Sequence, residues 1–375
     1  MLEALEICLN LFGEQHPDVA HCYNNLGLAY RAFGDAKKAM EYFEQALKID
    51  LNAFGDKNLA PARDYNNLGL IYLELGDDKK AIAYFQQALK ISLNVLDKQH
   101  PYVANCYINL GNGYRYLAQD HGKKTVGYYD KALAIFRQAY GDSHPSVANT
   151  YNNLGGYYRH LGNAKKAIEY HEQALEIYLS VFGEQHPEVA GCYSDLGSAY
   201  LDLGDDKKAI DFFQQALEID LKVSGDKNPD TARDYSDLGG AYYLQADQKK
   251  AIGYYEKALA IFRQVYGSAH PDLAITCNNM GGAYSVLGDF KKAIRYYEQA
   301  LTIIQKVYDY GHPLMAKNYN NLGEAYRDQG DAKKAIDYFK KALAIFKEIY
   351  GDDHPSTQTV SKNIKSLEDK LGKEA

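Results

Sequence analysis

Residues 16–57 read HPDVAHCYNNLGLAYRAFGDAKKAMEYFEQALKIDLNAFGDK. Pro17 suits a first helical turn, where a missing N–H costs nothing. Behind it Val19, Tyr23, Leu26 and Tyr30 recur at helical spacing, and the stripe ends at Gly34, a C-terminal glycine stop. Asp35 is placed to cap a second helix, with Ala39, Phe43, Ala46, Leu47 and Ile49 on its apolar side. The stretch is a helix pair of about 16 and 18 residues, roughly 24 and 27 Å long. One such hairpin cannot bury its own apolar face, but a stack of them can. Gly27 and Ala46 are the small residues that let the helices approach. Tyr23 and Tyr30 belong at layer edges, where a hydroxyl reaches water or a partner.

The unit recurs. A Leu-Gly marker or close variant ends at Gly27, Gly69, Gly111, Gly155, Gly197, Gly239, Gly281 and Gly323, spaced by 42 residues with a single gap of 44. An Ala-Leu marker from Ala46 to Ala342 keeps the same period, and the extra two residues lie near Gln119–Gly122. All nine prolines fall at one junction, eight where a pair begins and Pro355 where the last segment begins, with Pro61 two places late because Leu59 holds the expected position. The expected division is a partial second helix at 1–12 and repeats at 16–57, 58–99, 100–143, 144–185, 186–227, 228–269, 270–311 and 312–353, then a capping helix at 354–375. ALEICLNLFGEQHP at 4–17 matches ALEIYLSVFGEQHP at 174–187, so residues 1–12 read as a second helix without its first, as in a fragment or a chain that begins mid-repeat. In the last segment Val360, Ile364, Leu367 and Leu371 form one stripe among lysines. FGEQHPDVAHCYNNLG at 12–27 also parallels FGEQHPEVAGCYSDLG at 182–197, an offset of 170 residues that points to duplication of a four-unit block.

Tyr23-x-x-Leu26-Gly27-x-x-Tyr30 followed by Ala39-x-x-x-Phe43-x-x-Ala46 resembles the tetratricopeptide repeat signature, with Tyr where that family has Trp. The 42-residue form and the Gly-x-x-His-Pro link of Gly13–Pro17 are similar to the kinesin light chain and nephrocystin-3 type of array. The resemblance covers about residues 16–353 and implies an all-α, right-handed superhelical solenoid of antiparallel helix pairs. It also implies an adaptor that holds peptides or partner domains.

Composition bounds the function. At 375 residues the chain outgrows one core, and 46% hydrophobic with 24% charged residues is a folded composition. No apolar run approaches the ~18 residues of a membrane helix, and Glu3 and Glu6 argue against a secretory signal. A net charge of -7 argues against general nucleic-acid affinity. Five cysteines without a CxxC point to a reducing compartment, so a cytoplasmic location is expected.

Catalytic and metal motifs are not found. Seven of the eleven histidines stand in His-Pro, once per repeat, and read as helix-start residues rather than ligands. Cys22, Cys106 and Cys192 share one first-helix site and read as small buried residues, with Cys277 one place later and Cys8 in the partial helix. Gly155-Gly156, Gly239-Gly240 and Gly281-Gly282 lie inside helices and read as packing glycines. The Lys-Lys doublets, Lys37-Lys38 to Lys333-Lys334, read as a solvated face. No enzyme, cofactor or metal is expected.

Binding is expected on the first helices, which line the concave side of such stacks. Asn25, Asn67, Asn109, Asn153, Asn279 and Asn321 recur just before Leu or Met, with Asp195 and Asp237 in the other two units. Side-chain amides there can pair with an extended peptide, as the resemblance implies, or with the neighbouring repeat. Units one to four carry Arg31, Arg63, Arg115 and Arg159 against Glu74, a basic half suited to an acidic segment, with Tyr116 and His160 for stacking. Units five to eight carry Arg233, Lys317 and Arg327 against Asp195, Asp202, Asp237, Glu324 and Asp328, suited to a basic or neutral one. The leading function is a protein- or peptide-binding scaffold. The alternatives are a regulatory sensor module of a larger signalling protein and self-assembly through the bare first helix.

Overall fold

A computed structural model describes residues 2–115, 117, 122–308 and 310–374, with side chains through 371. Its described residues form eighteen α-helices and no strand. A lone α1 (Leu2–Phe12) precedes the pairs α2 (Pro17–Ala32) with α3 (Ala36–Phe54), α4 (Leu59–Glu74) with α5 (Asp78–Val95), α6 (Pro101–Arg115) with α7 (Gly122–Tyr140) and α8 (Pro145–His160) with α9 (Ala164–Phe182). The pairs continue with α10 (Pro187–Leu203) and α11 (Asp206–Val223), α12 (Pro229–Leu244) and α13 (Gln248–Tyr266), α14 (Pro271–Val286) and α15 (Phe290–Val307), and α16 (Pro313–Gln329) and α17 (Ala332–Tyr350). A final α18 (Pro355–Glu374) lays Val360, Ile364 and Leu367 against the chain and buries them. Together the pairs make an all-α solenoid. Of the insertion, Gln119–His121 lie outside the described residues. No described helix is long and apolar enough to cross a membrane.

The helix ends follow from local chemistry. His16, His100, His144, His186, His270, His312 and His354 each accept at Nδ1 the N–H two residues on, at 3.1–3.2 Å. Asn58 and Asn228 do the same at 2.9 and 2.8 Å in the two pairs that lack His. Six of these imidazoles also stack on the last aromatic of the preceding helix, from Phe12–His16 at 4.7 Å to Tyr266–His270 at 3.6 Å. The His-Pro histidines are thus N-caps. Six first helices end in a positive-φ glycine, as α2 does at Gly34, whose φ of +77° only glycine adopts cheaply, and Ala246 takes that conformation after α12. Asp35 then caps α3 by accepting from the Lys38 N–H at 3.1 Å. The same Lys38 ammonium lies 3.4 Å from Asp35 and 5.0 Å from the Tyr30 ring centre, and Lys80, Lys250, Lys292 and Lys334 repeat both contacts. With Lys208, six of the sixteen doublet lysines are therefore paired at their own helix start.

Within a pair, a ring of the second helix lies against the Leu-Gly glycine of the first. A Cβ at Gly27 would stand 2.5 Å from the Phe43 ring, and Gly239 and Gly281 meet Tyr255 and Tyr297 in the same way. Contacts divide the chain into two compact units, Met1–Ile219 and Asp220–Ala375. In the first, α4 touches α6, α6 touches α8 and α8 touches α10; in the second, α12 touches α14 and α14 touches α16. Second helices of successive pairs approach less closely, so the first helices take the inner side of each unit.

Successive layers meet at a pair of positions fourteen residues apart. Cys8 and Cys22 sit there with sulfurs 3.1 Å apart, and Ser92 and Cys106 at 3.5 Å. Asp50 and Asp64 hold the place between α3 and α4, both buried. Asp64 Oδ1 accepts from Asn24 Nδ2 at 2.6 Å and from Arg63 Nε at 3.2 Å, while Arg63 Nη2 reaches Asp50 at 3.2 Å. Burial pushes the Asp64 carboxyl up to about 7 despite Arg63, and the two carboxyls share a hydrogen bond. An unfolded Asp titrates near ~3.9, so the folded state holds this proton more tightly. Stability from this site is greatest below about pH 4 and is lost as pH rises through 7. Asp64→Asn supplies a permanent donor. Urea unfolding should find it more stable than the parent at pH 8 by on the order of 1–3 kcal/mol, with a flatter profile between about pH 4 and 7. Equal stability at pH 8 would contradict the shared proton.

Candidate functional site

Positions three apart share a helix face, so residues such as Asn25, Leu28 and Arg31 project together from α2. All twelve expected binding residues lie on first helices and are half-buried: Asn25, Arg31, Arg63, Asn67, Asn109, Arg115, Asn153, Arg159 and Asp195 in the first unit, Asp237, Asn279 and Asn321 in the second. Tyr116 falls outside the described residues.

The asparagines divide by what their amides do. Asn67 Nδ2 donates to Asn24 Oδ1 at 3.3 Å, Asn109 to Asn66 at 3.2 Å and Asn321 to Asn278 at 3.0 Å. In each case the acceptor belongs to the preceding layer, so at these three positions the amide ties neighbouring repeats together. Asn153 differs. It donates to Asn149 within its own helix, to the carbonyl at 2.8 Å and the side chain at 3.0 Å. The first Asn of each Asn-Asn pair, the acceptor, was not among the expected residues, although the doublet in NNLG is its sequence signal.

The arginines also divide. Arg63 turns inward onto the buried Asp50–Asp64 pair. Arg31 Nε reaches across to Glu74 at 2.6 Å, and Arg159 to Asp202 at 3.6 Å, both pairs one-third to one-half exposed. Arg115 reaches the next layer instead, where its Nη2 donates to the Gly156 carbonyl at 2.7 Å. Its guanidinium lies on Gly156, 3.0 Å from where a Cβ would stand.

Around this contact the first unit gathers its perturbed groups. His171 replaces the usual Phe or Tyr beneath Gly155, and its Nδ1 lies 3.0 Å from Asn152 Oδ1. Burial, with Arg159 and Arg115 adding, pushes this imidazole down to about 4, so it stays neutral. Burial pushes the Asp195 carboxyl up to about 6, against the pull of Arg159 and Arg115. Elsewhere in the same unit, at the start of α8, a cavity of about 330 Å³ opens over Phe136, edged by Asn105, Asn149, Tyr178 and Glu188. No group of three or more His, Cys, Asp or Glu among the described residues is arranged to hold a metal. The arrangement offers hydrogen bonds and charge to a bound chain.

Loss of the interlayer amides should cost stability. Asn67→Ala and Asn109→Ala are each expected to lower unfolding free energy by about 0.5–1.5 kcal/mol, and Asn153→Ala by less, in denaturant titration. Equal effects at all three positions would remove the distinction.

The tetratricopeptide repeat profile matches residues 1–52, 41–93, 62–123, 122–180, 146–222, 207–264, 249–306, 272–348 and 314–375. No curated protein sequence matches the chain. Solved structures similar to it include BtubC (BKLC) from P. vanneervenii, 25% identical over 62% of this chain and 93% of that one, with a TM-score of 0.53. A Rap protein complexed with Competence and Sporulation Factor is 17% identical, covers 96% of this chain and 100% of its own, and has a TM-score of 0.56. Nearly identical repeats of a kinesin light chain candidate from Podosopora anserina are 24% identical over 55% of this chain and 98% of that one, with a TM-score of 0.46.

Proposed function

Because the chain belongs to the tetratricopeptide repeat family, we propose that it is a cytoplasmic protein- or peptide-binding scaffold, an adaptor rather than an enzyme. Its first unit takes an acidic segment on the inner, first-helix face. The observation that carries this reading is the row of arginines reaching across layers, Arg31 to Glu74, Arg115 to Gly156 and Arg159 to Asp202. Exposed ion pairs are worth only about 0–1 kcal/mol, so a ligand carboxylate can replace Glu74 or Asp202 at little cost. A guanidinium offers five donors, so Arg115 can serve a carboxylate beside its carbonyl bond. Arg63 is left out, because removing it from its buried carboxylates costs far more. Asn25 and Asn153 supply amides to the ligand backbone, while Asn67 and Asn109 hold the layers in place.

A peptide array probed with the intact chain at two salt concentrations tests this. Acidic peptides should bind, more weakly at high salt, and Arg115→Glu with Arg159→Glu should weaken them about tenfold or more. Unchanged affinity in the folded variant would rule the reading out.

A second reading, self-association, is favoured by α1. Ile7 is 58% exposed, whereas Ile49, at the matching place one layer on, is 3% exposed beneath a first helix. Concentration-dependent light scattering should detect association of the parent chain and its loss in Ile7→Glu. Scattering that is independent of concentration would dismiss it.

A further inference from the structure

The glycine pairs of the second unit carry a feature that packing does not account for. Gly239 and Gly281 receive the rings of Tyr255 and Tyr297, as Gly27 receives Phe43. The second glycine of each pair is different. Gly240 and Gly282 are partly exposed, and a Cβ there would meet nothing closer than a tyrosine hydroxyl: Tyr255 Oη at 3.9 Å from Gly240, Tyr297 Oη at 3.8 Å and Tyr243 Oη at 3.9 Å from Gly282. Each glycine thus leaves a notch floored by phenol hydroxyls. Tyr255 and Tyr297 are 2% and 5% exposed, and among the described residues neither hydroxyl has a hydrogen-bond partner.

The same chain shows what such a hydroxyl takes when it has one. In the α6/α7 pair the equivalent ring is Tyr129, and the residue at the Gly240 position is Asn112. The Tyr129 hydroxyl donates to Asn112 Oδ1 at 2.6 Å. Where the ring is Phe, in Phe43, Phe85, Phe213 and Phe339, the position holds Leu28, Leu70, Ser198 or Glu324. The ring hydroxyl and the residue above it therefore go together, and in the second unit the amide carbonyl is the missing member.

The surroundings narrow the ligand further. Burial, then Tyr243, then a carboxylate push both phenols well above their ordinary range, with Asp237 acting on Tyr255 and Glu324 on Tyr297. Both hydroxyls therefore remain protonated donors, and the nearby carboxylates disfavour an anionic acceptor. Leu244 and Val286, 57% and 58% exposed, stand four residues beyond Gly240 and Gly282 on the same helices and offer apolar contact.

We infer that the inner face of α12 and α14 is a binding site for a neutral or basic extended peptide, whose main-chain carbonyls enter the Gly240 and Gly282 notches and accept from Tyr255 and Tyr297. Its apolar side chains rest on Leu244 and Val286. A peptide carbonyl in each notch gives the hydroxyl the acceptor that Asn112 gives Tyr129. This inference rests on the scaffold reading but assigns a different unit and the opposite charge preference to its ligand.

The test uses the full chain and the same array of short synthetic peptides sorted by net charge, with titration calorimetry on those that bind. Three variants are compared with the parent. Tyr255→Phe with Tyr297→Phe removes the donors and copies the ring found in four other pairs. Gly240→Asn with Gly282→Asn fills the notches as Asn112 does. Tyr129→Phe, whose hydroxyl already has its acceptor, is the control. Neutral and basic peptides should bind the parent and the control equally. Both double variants should lose about tenfold or more in affinity, with melting temperatures close to the parent's. Unchanged affinity in the folded Tyr→Phe variant overturns the inference. If acidic peptides bind through Arg115 and Arg159 while neutral and basic ones do not, the inference alone falls. If peptides of no charge class bind, the scaffold reading falls with it.

Discussion

Eight times along the chain a ring from a second helix is seated on a glycine of the first, and side-chain bulk there would drive a Cβ into the ring. This contact sets how closely the two helices of a pair approach and fixes the rotation of the first helix about its axis. Once that rotation is fixed, the residues before and after the glycine have no freedom in where they face. At Asn67, Asn109 and Asn321 the position two before it reaches the neighbouring layer, and the position one after it looks to the inner surface. Asn67 and Asn109 donating to the layer before them, and Gly156, Gly240 and Gly282 opening on the inner face, are consequences of one packing contact repeated.

Layer stacking needs a second constraint, because identical pairs could slip past one another. The interlayer positions supply it. Cys8 meets Cys22, Ser92 meets Cys106, Asp50 meets Asp64 and Asp220 meets Asp234. A carboxyl pair tolerates its partner only while one proton is shared, and an Asp moved against an apolar neighbour would lose that option. Like-with-like pairing therefore makes the wrong neighbour costly, at some expense in stability for the right one. The pairs Asp50–Asp64 and Asp220–Asp234 lie 170 residues apart, the offset at which FGEQHP and GDKN also recur.

The periodic part of this architecture was legible in residues 16–57 alone. Pro17, Gly34 and Asp35 act through their own backbones, and chemistry of that range is visible in one dimension. The candidate binding surface was less so. Asn67 and Asn153 occupy the same place in their repeats, yet one donates across a layer and the other within its helix, because Asn24 faces the first and Asn149 stands one turn before the second. Arg63 and Arg31 were counted alike as groove charge, but Arg63 stands ten residues before Leu73, the place in its helix that corresponds to Arg31, and lies beside two buried carboxyls. Such differences depend on residues about forty places away, and only stacking brings those together. Gly240 and Gly282 were read as packing glycines for the same reason: the hydroxyls of Tyr255 and Tyr297 beside them belong to the following helices and come into view only in three dimensions.

Arg115 lies over Gly156, and Tyr243 lies near Gly282. Both are the residue four after the Leu-Gly glycine, and both lean onto the glycine that follows that marker in the next first helix. The scaffold is the same in the two units; what differs is whether the leaning side chain brings a guanidinium or a phenol. A glycine there keeps the inner face open at its floor, and its neighbour in the preceding layer decides whether charge or a neutral donor fills the opening. What the inner face presents can therefore change at a single half-buried position while the ring-on-glycine contact and the interlayer pairs stay as they are.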